Sequence, residues 1–412
     1  MHTGFVPIAA ALLLLTSSLG LGQADLPPEA VRLAAVKQKM AAFLARVPDY
    51  TCVETIDRSV EKSASGHATS MDRLRVDIAY IDNKEVYSWP GAGSFEEKRL
   101  AELVGNGMVS DGDFALHTGN IFTRDGAQIT FARDEVVLGR KAARYDFIIP
   151  SLSSAWILRS SAVTGGVGSR GSFWIDADRL DLLRLELDAQ GIPAGLAIGA
   201  VHVSVDYAKV RVGGADVSIP QSAETVLDDT NGTRFLNHVD FTGCREYHVQ
   251  SSISFDTESN NAEARSRTLQ NMAVPSKLLL LLQLDNPIDS ATAAQGDLVR
   301  AKLERDVRTD DGVLIPRGAL VTGRIRRMEK FDQPHPHWVF GVELTAIDFD
   351  SKIGEIAGTL EHIDPIHGSD VRLISNLGAE AMPGVGILRI NGDRFLLDRT
   401  FHMQWRTIDW KR

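Results

Sequence analysis

The feature that constrains the fold most is an alternation of apolar and polar residues, which runs through most of the chain from Asp49 to Asp256. The segments RLRVDIAY, DLLRLELDA and VHVSVDYAKVRV place their apolar residues at every second position. Such alternation is typical of β-strands with one buried face. Turn signals separate these runs at Asp82-Asn83, Asp125-Gly126, Gly165-Gly166, Asp176-Ala177-Asp178, Gly213-Gly214 and Asn231-Gly232. Together these features predict an antiparallel meander.

Two helices are predicted beside this sheet. Apolar residues recur at helical spacing between two proline-containing segments, and they predict an amphipathic helix over roughly 29–46. A second helix is predicted in GSFEEKRLAELVGNG, where Ser94 and Glu97 have capping-box spacing and Gly105 ends the pattern. Because the first helix carries an apolar stripe, we expect it to cover one face of the sheet.

The first residues have the pattern of an export signal. An apolar core from Phe5 to Leu15 precedes a small-x-small pattern at Gly22 and Ala24. The alternative is a membrane anchor, but the apolar run is shorter than the roughly 20 residues that a spanning helix needs. We therefore predict a signal peptide over 1–24, an exported mature chain in the periplasm or outside the cell, and no transmembrane helix after cleavage.

The sequence contains two cysteines, Cys52 in YTCVETI and Cys244 in FTGCREYHV. Thiols of exported proteins tend to pair. A zinc site would need more ligands at closer spacing, and a catalytic cysteine usually lies at the start of a helix or beside a histidine. Both cysteines lie in segments that resemble strands, so we predict a Cys52–Cys244 disulfide.

Charge and composition exclude some classes of partner. The formal net charge is −10, which argues against nucleic acid and against tight binding to an anionic membrane surface. Hydrophobic residues make up 44%, so the chain can build hydrophobic cores. A length of 412 residues suggests two or three domains.

The pattern changes in the last third of the chain. DTESNNAEARSRTLQNMAVPSK is polar and unpatterned, and KLLLLLQL, GVLIPRGALVTGRI, WVFGVELTAIDF and GEIAGTLEHI then have the character of strands. We predict a helix-plus-sheet domain over 25–256, a linker over 257–275 and a small β-barrel domain over 276–412. The predicted fold class is therefore mainly β with few helices.

One helix that leads into a long antiparallel sheet, in an exported chain, resembles the half-barrel of the LolA/RseB class of periplasmic proteins over 29–256. The resemblance implies a curved sheet whose apolar concave face is covered by the helix, and it implies binding or sensing of lipidated molecules. The strings DYTCVETI, GSFWID and CREYHVQSSISF, in this order, are also similar to those of uncharacterised secreted bacterial proteins.

The segment GDLVRAKLERDVRTDDGVLIPRGALVTGRI, followed by ELTAIDF and GEIAGTLEHID, is similar to the β-barrel domain of TrbI-type proteins of conjugation and type IV secretion channels. We expect the cytoplasmic segment and inner-membrane helix of that family to be missing here, so the resemblance implies docking to an envelope assembly rather than channel formation. The matching residues are all structural in character: Gly296, Val299, Ala301, Val307, Ile315, Pro316, Gly318 and Gly323.

Two motifs suggest chemistry, and each has a plainer interpretation. GGVGSRG has the spacing G-x-G-x-x-G, but a strand follows it where a dinucleotide site needs a helix. GMVSDGDFALH places Asp111 and Asp113 near His117, which suggests a calcium-like loop or an acid–base cluster. A solvated loop is the commoner explanation, so we predict no catalytic residue and no cofactor.

A pair of histidines in DQPHPHW is a further candidate for a metal site. His335 and His337 would point to the same side of a strand, and His362 or His367 could supply a third ligand. The prolines around His335 favour a loop instead. We therefore predict no metal, with these two histidines as the weaker alternative.

Three tryptophans are the candidate ligand-binding residues: Trp89, Trp156 and Trp174. Aromatic side chains inside a curved sheet can line an apolar pocket, whereas the alternative is ordinary core packing under the helix. The leading hypothesis is an exported, non-enzymatic envelope protein that binds an apolar ligand such as a lipid or a lipidated partner. The alternative is a structural or interaction component of an envelope or secretion-type assembly, and an enzyme built on the histidines is a third hypothesis.

Overall fold

The computed structural model describes residues 26–44, 50–62, 68–81, 84–92, 95, 99–104, 108–110, 112, 115–160, 163–212, 215–247, 270–310, 312–365, 370–374 and 382–409. The predicted signal peptide and most of the predicted linker lie outside these ranges. Strands dominate the fold and helices are few, so the predicted fold class is confirmed. Within the described ranges, no helix has the length and apolar character that a bilayer crossing requires.

Three α-helices lie in the described part of the chain, namely α1 (Pro28–Leu44), α2 (Leu100–Val104) and α3 (Leu116–Phe122). Two short 3-10 helices are also present, at Ser151–Ser153 and Ala194–Leu196. Helix α1 agrees closely with its prediction, and α2 lies within the second predicted helix. The predicted cap residues Ser94 and Glu97 and the predicted stop Gly105 lie outside the described residues. The sequence does not predict α3, because LHTGNIF has a glycine inside it and is too short to establish a helical period.

Twelve strands lie in the described residues of the first half: β1 (Tyr50–Lys62), β2 (Ala68–Ile81), β3 (Lys84–Ser88), β4 (Gln128–Val137), β5 (Arg140–Ile149), β6 (Ile157–Arg159), β7 (Thr164–Gly166), β8 (Gly168–Asp176), β9 (Leu182–Gln190), β10 (Ile198–Val212), β11 (Ala215–Asp229) and β12 (Thr233–Glu246). Strands β6 and β7 pair with each other and with no other described strand. The other ten form one antiparallel sheet in the order β3-β2-β1-β12-β11-β10-β9-β8-β5-β4. The sheet is not closed into a barrel, and it is consistent with a half-barrel.

One face of this sheet is buried, and we call it the concave face. Alternate residues of each strand point toward it, such as Val203 and Val205 in β10 and Tyr145 and Phe147 in β5. These side chains join those of α1 and α3 in a single hydrophobic core. The period of two along the strands thus decides which residues form the core.

Helix α1 covers part of the concave face. Val36 and Met40 are buried in the core, and such apolar side chains contribute about 1.5–3 kcal/mol each when fully buried. The Tyr145 hydroxyl donates a hydrogen bond to the carbonyl of Glu29 over 3.0 Å. The ammonium of Lys39 forms an ion pair with Asp181 at 2.5 Å, so the helix is held both near its start and further along.

Cys52 and Cys244 form a disulfide between β1 and β12, as the sequence predicts. The pairing of the two strands is irregular here, because Thr51 faces Arg245 while Val53 faces Thr242. One residue of β1 therefore opposes two residues of β12, which is a β-bulge. Gly243 takes up the bulge with a φ of +59°, a conformation that glycine adopts readily. The bulge brings Cys244 opposite Cys52 in the ladder.

The second half of the described chain is all β, with fourteen strands: β13 (Gln270–Asn271), β14 (Leu279–Leu284), β15 (Ile288–Asp289), β16 (Leu298–Leu303), β17 (Val307–Thr309), β18 (Gly312–Ile315), β19 (Leu320–Phe331), β20 (His337–Phe349), β21 (Lys352–Glu355), β22 (Gly358–Ile363), β23 (Val371–Leu373), β24 (Val385–Asn391), β25 (Leu396–Leu397) and β26 (His402–Thr407). Eight of them pair in the order β22-β26-β14-β16-β19-β20-β24-β23. They surround a separate hydrophobic core that contains the fully buried Trp405. The exact domain boundaries stay a prediction.

The two halves contact each other along β2. Arg75 in β2 forms an ion pair with Asp297 at 2.5 Å, and its backbone N–H donates to the carbonyl of Gln295 over 2.8 Å. Gly296 packs so closely that a Cβ there would overlap the carbonyl oxygen of Arg75 and lie 2.9 Å from the ring of Trp89. Only glycine fits this position without a backbone shift.

We expect the disulfide to contribute strongly to stability, because its two cysteines are 192 residues apart in the chain. A cross-link over so long a loop contributes up to about 5 kcal/mol in the chain-entropy description. The double variant C52A/C244A should unfold at a lower urea concentration than the oxidised protein. Reductant should lower the midpoint of the oxidised protein and leave that of the double variant unchanged. Equal midpoints for all samples would contradict the prediction.

The substitution Gly296→Ala should destabilise the contact between the two halves. Gly296 has a φ of +106° and no room for a Cβ, whereas Gly312 has a φ of +121° and nothing within 4 Å of its Cβ position. Backbone strain of about 1–3 kcal/mol is expected at both positions, and the steric overlap adds about 1–3 kcal/mol only at Gly296. Urea unfolding of G296A and the matched control G312A tests this. Similar losses in the two variants would show that the close packing contributes little.

Candidate functional site

Two adjacent cavities lie on the concave side of the first sheet. The larger has a volume of about 660 Å³, and we call it the arginine cavity. The smaller has a volume of about 380 Å³, and we call it the concave-face cavity. Arg99, Ile157 and Arg159 line both, so the two cavities share a wall. Their volumes are typical of small-molecule sites.

The floor of the concave-face cavity is built by three neighbouring strands. It consists of Val201 and Val203 from β10, Thr225 and Leu227 from β11, and Phe235 from β12. Strand pairing places Val203 opposite Thr225, Val201 opposite Leu227, and Leu227 opposite Phe235. Because alternate residues share a face, the same pattern that predicts the strands produces a mainly apolar floor.

The opposite wall includes Met108 and its neighbours, and two buried side chains hold this segment in place. Arg58 donates to the carbonyl of Met108 over 3.4 Å, and the amide of Asn237 donates to the same oxygen over 3.2 Å. Arg58 also forms a two-pronged ion pair with Asp72, at 2.7 and 2.6 Å. A buried charge pair is tolerated only when its hydrogen bonds are satisfied, so this pair acts as a rigid support for the wall.

Trp156 forms a further part of the wall, and local hydrogen bonds set its position. The side-chain carbonyl of Asn120 in α3 accepts a hydrogen bond from the backbone N–H of Ala155 over 3.1 Å. The carbonyl of Trp156 accepts another from Val167 over 2.9 Å. Its ring makes an edge-to-face contact with His117, with centroids 4.9 Å apart. Helix α3 thus positions the tryptophan.

His117 is fully enclosed beneath this wall, with 2% of its surface exposed. Burial lowers the pKa of its imidazole to about 4, because the charged form loses its hydration. The neutral imidazole therefore predominates at neutral pH. Asp111 and Asp113, which the sequence groups with His117, lie outside the described residues.

The three candidate tryptophans do not come together. Trp156 lines the concave-face cavity, and Trp174 points to the other side of the sheet, where its Nε1 donates to Glu135 over 2.6 Å. Trp89 lies where the two halves meet, with the guanidinium groups of Arg324 and Arg326 at 5.9 and 5.1 Å from its ring. Ligand binding therefore stays a prediction, and geometry favours Trp156 among the three.

The histidine pair does not form an evident metal site. His337 begins β20, and its Nδ1 is 2.8 Å from the carbonyl oxygen of His335 in the preceding loop. Its ring stacks on Phe331, with centroids 5.2 Å apart. In the described part of the chain, no three His, Cys, Asp or Glu side chains are grouped so that they could hold a metal ion. His367, one of the predicted third ligands, lies outside that part.

The G-x-G-x-x-G spacing lies in two successive strands, since its first glycine, Gly166, ends β7 and the other two, Gly168 and Gly171, are in β8. It therefore lacks the helix of a dinucleotide site. Arg99, Arg124 and Arg159 were not candidates in the sequence, because they are far apart in it and form no shared motif. Only the folding of these segments over the sheet brings them to one cavity.

The buried imidazole predicts an acid-sensitive core. The imidazole of His117 has a pKa of about 4 in the folded protein and near 6.5 in the unfolded chain, so the unfolded chain is protonated first as the pH falls. The free energy of unfolding therefore keeps its full value above pH 6.5 and decreases as the pH drops toward 4. The difference corresponds to about 3 kcal/mol. Urea unfolding of the wild type and of H117Q across this range should give a shallower pH dependence for the variant. Identical slopes would contradict the assignment.

Comparisons with known proteins find similarity to solved structures alone. No protein-family model matches the sequence, and no curated protein matches it. Among solved structures, the chain is similar to a DUF1329 family protein from Desulfovibrio piger, with 12% identity, a TM-score of 0.30, and coverage of 53% of this chain and 93% of that one. It is also similar to an outer membrane lipoprotein-sorting protein domain from Vibrio parahaemolyticus, with 10% identity, a TM-score of 0.28, and coverage of 51% and 90%. Neither is a TrbI-type protein, so the resemblance of the second half gains no support from them.

Proposed function

We propose that this protein is an exported envelope protein that binds an apolar ligand, such as a lipid or a lipidated partner, in the concave-face cavity. The observation that carries this proposal is the cavity itself, whose floor consists mainly of apolar side chains from three adjacent strands. An acyl chain that enters it would gain about 0.8 kcal/mol for each methylene removed from water, before the costs of association. The disulfide supports export, because such bonds persist in oxidising compartments.

The polar groups of this cavity support binding rather than catalysis. Its one described carboxylate is Asp229, which accepts hydrogen bonds from the backbone N–H groups of Asn231 and Thr233 at 2.8 Å each. Asp229 therefore stabilises a hairpin turn. The described lining residues contain no histidine or cysteine that could act as a base or nucleophile beside Ser110 or Ser160.

Filling the cavity should weaken ligand binding. Leu227 points into the concave-face cavity, whereas its neighbour Val226 is not among the lining residues and points to the other face of β11. We expect Leu227→Trp to weaken binding of the neutral fluorescent probe N-phenyl-1-naphthylamine at least about tenfold, because the indole occupies the ligand volume. The matched control Val226→Trp should bind it as the wild type does.

Two further measurements check that the variants are folded and that the wild type carries a ligand. Urea unfolding establishes that both tryptophan variants are folded, and native mass spectrometry of gently purified wild type should show co-purifying lipid. A wild type that carries no lipid and does not bind the probe would overturn the proposal. Equal probe affinity in both variants would place the ligand elsewhere in the chain.

A further inference from the structure

The arginine cavity has an unusual balance of charge for so acidic a protein. Its described lining contains four cationic side chains, Lys84, Arg99, Arg124 and Arg159, and one carboxylate, Glu85. The whole chain has a formal net charge of −10. Among the described lining residues, cationic side chains thus outnumber carboxylates, against the overall balance of the chain. A cleft lined mainly by one sign of charge attracts ligands of the opposite sign.

Glu85 offsets only part of this positive charge, since four cationic side chains face one carboxylate. Its oxygens also accept hydrogen bonds from the segment before α3. One oxygen accepts hydrogen bonds from the backbone N–H groups of Ala115 and Leu116, at 2.8 and 3.3 Å. The other accepts from the N–H of Gly112 at 2.9 Å and from the hydroxyl of Tyr87 at 3.0 Å. Glu85 therefore holds the turn that leads into α3.

The arginines themselves have few partners. Among the described residues, Arg124 and Arg159 form no ion pair, and both are exposed. Arg99 pairs with Glu102 at 2.7 Å, but both of those side chains are nearly half exposed. Such a surface pair contributes little, so a ligand could displace it at small cost.

The shared wall joins this basic region to an apolar one. Arg99 and Arg159 border both cavities, and the floor beyond them consists of Val201, Val203 and Leu227. A molecule that lies across the wall would meet guanidinium groups at one end and aliphatic side chains at the other. This division matches an amphiphile whose acyl chain and charged head are joined end to end.

We infer that the ligand is an anionic amphiphile, whose acyl chain occupies the concave-face cavity while Arg99, Arg124 and Arg159 bind its negatively charged head. The inference rests on the proposed function and names the chemical class of its ligand. Guanidinium groups suit this role because they present paired donors to a carboxylate or phosphate. Long-range attraction to the same groups would also steer the anion toward the cavity.

The test compares two probes with the same chain, myristate, which carries a carboxylate, and monomyristoylglycerol, which is neutral. Binding is measured by calorimetry below the concentrations at which each aggregates. The variant R124Q/R159Q removes two arginines of the site. The matched control R305Q/R317Q removes two exposed arginines of the second half, so it changes the net charge equally.

We expect the wild type and the control to bind myristate at least about tenfold more tightly than monomyristoylglycerol. R124Q/R159Q should lose about tenfold or more in affinity for myristate and keep its affinity for the neutral probe within about twofold. Added salt should weaken only the binding of myristate, because exposed charges are screened.

Other outcomes would overturn the inference in distinguishable ways. Equal affinity of the wild type for both probes, or equal losses for both in R124Q/R159Q, would refute the arginine head-group site and leave apolar binding intact. Inorganic phosphate or acetate binding as tightly as myristate would show a small-anion site that does not need an acyl chain. Failure of both probes to bind would refute the proposed function as well.

Discussion

The structure depends on one constraint, which is that a long antiparallel sheet with alternating residues must bury one of its faces. Ten strands of the first half share a single apolar face, and a curved sheet of this kind cannot cover that face by itself. Helix α1, helix α3 and the segments around Met108 and Trp156 provide the cover. Two cavities lie between this cover and the sheet.

Buried polar groups decide where those pieces lie. Arg58, paired with Asp72, supports the carbonyl of Met108, and Glu85 holds the turn before α3 through backbone N–H groups. Asn120 then fixes the segment that carries Trp156. Each of these side chains would cost free energy if it were buried without partners, so the requirement for hydrogen bonds also specifies the shape of the cavities.

The second half of the chain packs directly against the first sheet. Its residues Gln295 and Gly296 lie against β2, and Arg324 donates to the carbonyl oxygens of Pro90 and Gly296. Burial lowers the pKa of Arg324 to about 10, and its guanidinium lies over Trp89. Trp89 thus forms part of the contact between the two halves.

Local patterns in the sequence determined the strands, their buried faces, helix α1 and the pairing of Cys52 with Cys244. The strands and the helix follow from apolar residues that recur with a period of two or of 3.6, a pattern that is visible in short stretches of sequence. The disulfide follows from the tendency of thiols in exported proteins to pair. The tertiary structure alone decided that Trp156 lines the concave-face cavity, whereas Trp89 and Trp174 are not among the described lining residues of either cavity. It also brought Arg99, Arg124 and Arg159 to one cavity. The meeting of distant residues at one cavity depends on strand order and on long-range packing. Neither of these produces a periodic pattern in the sequence around those residues.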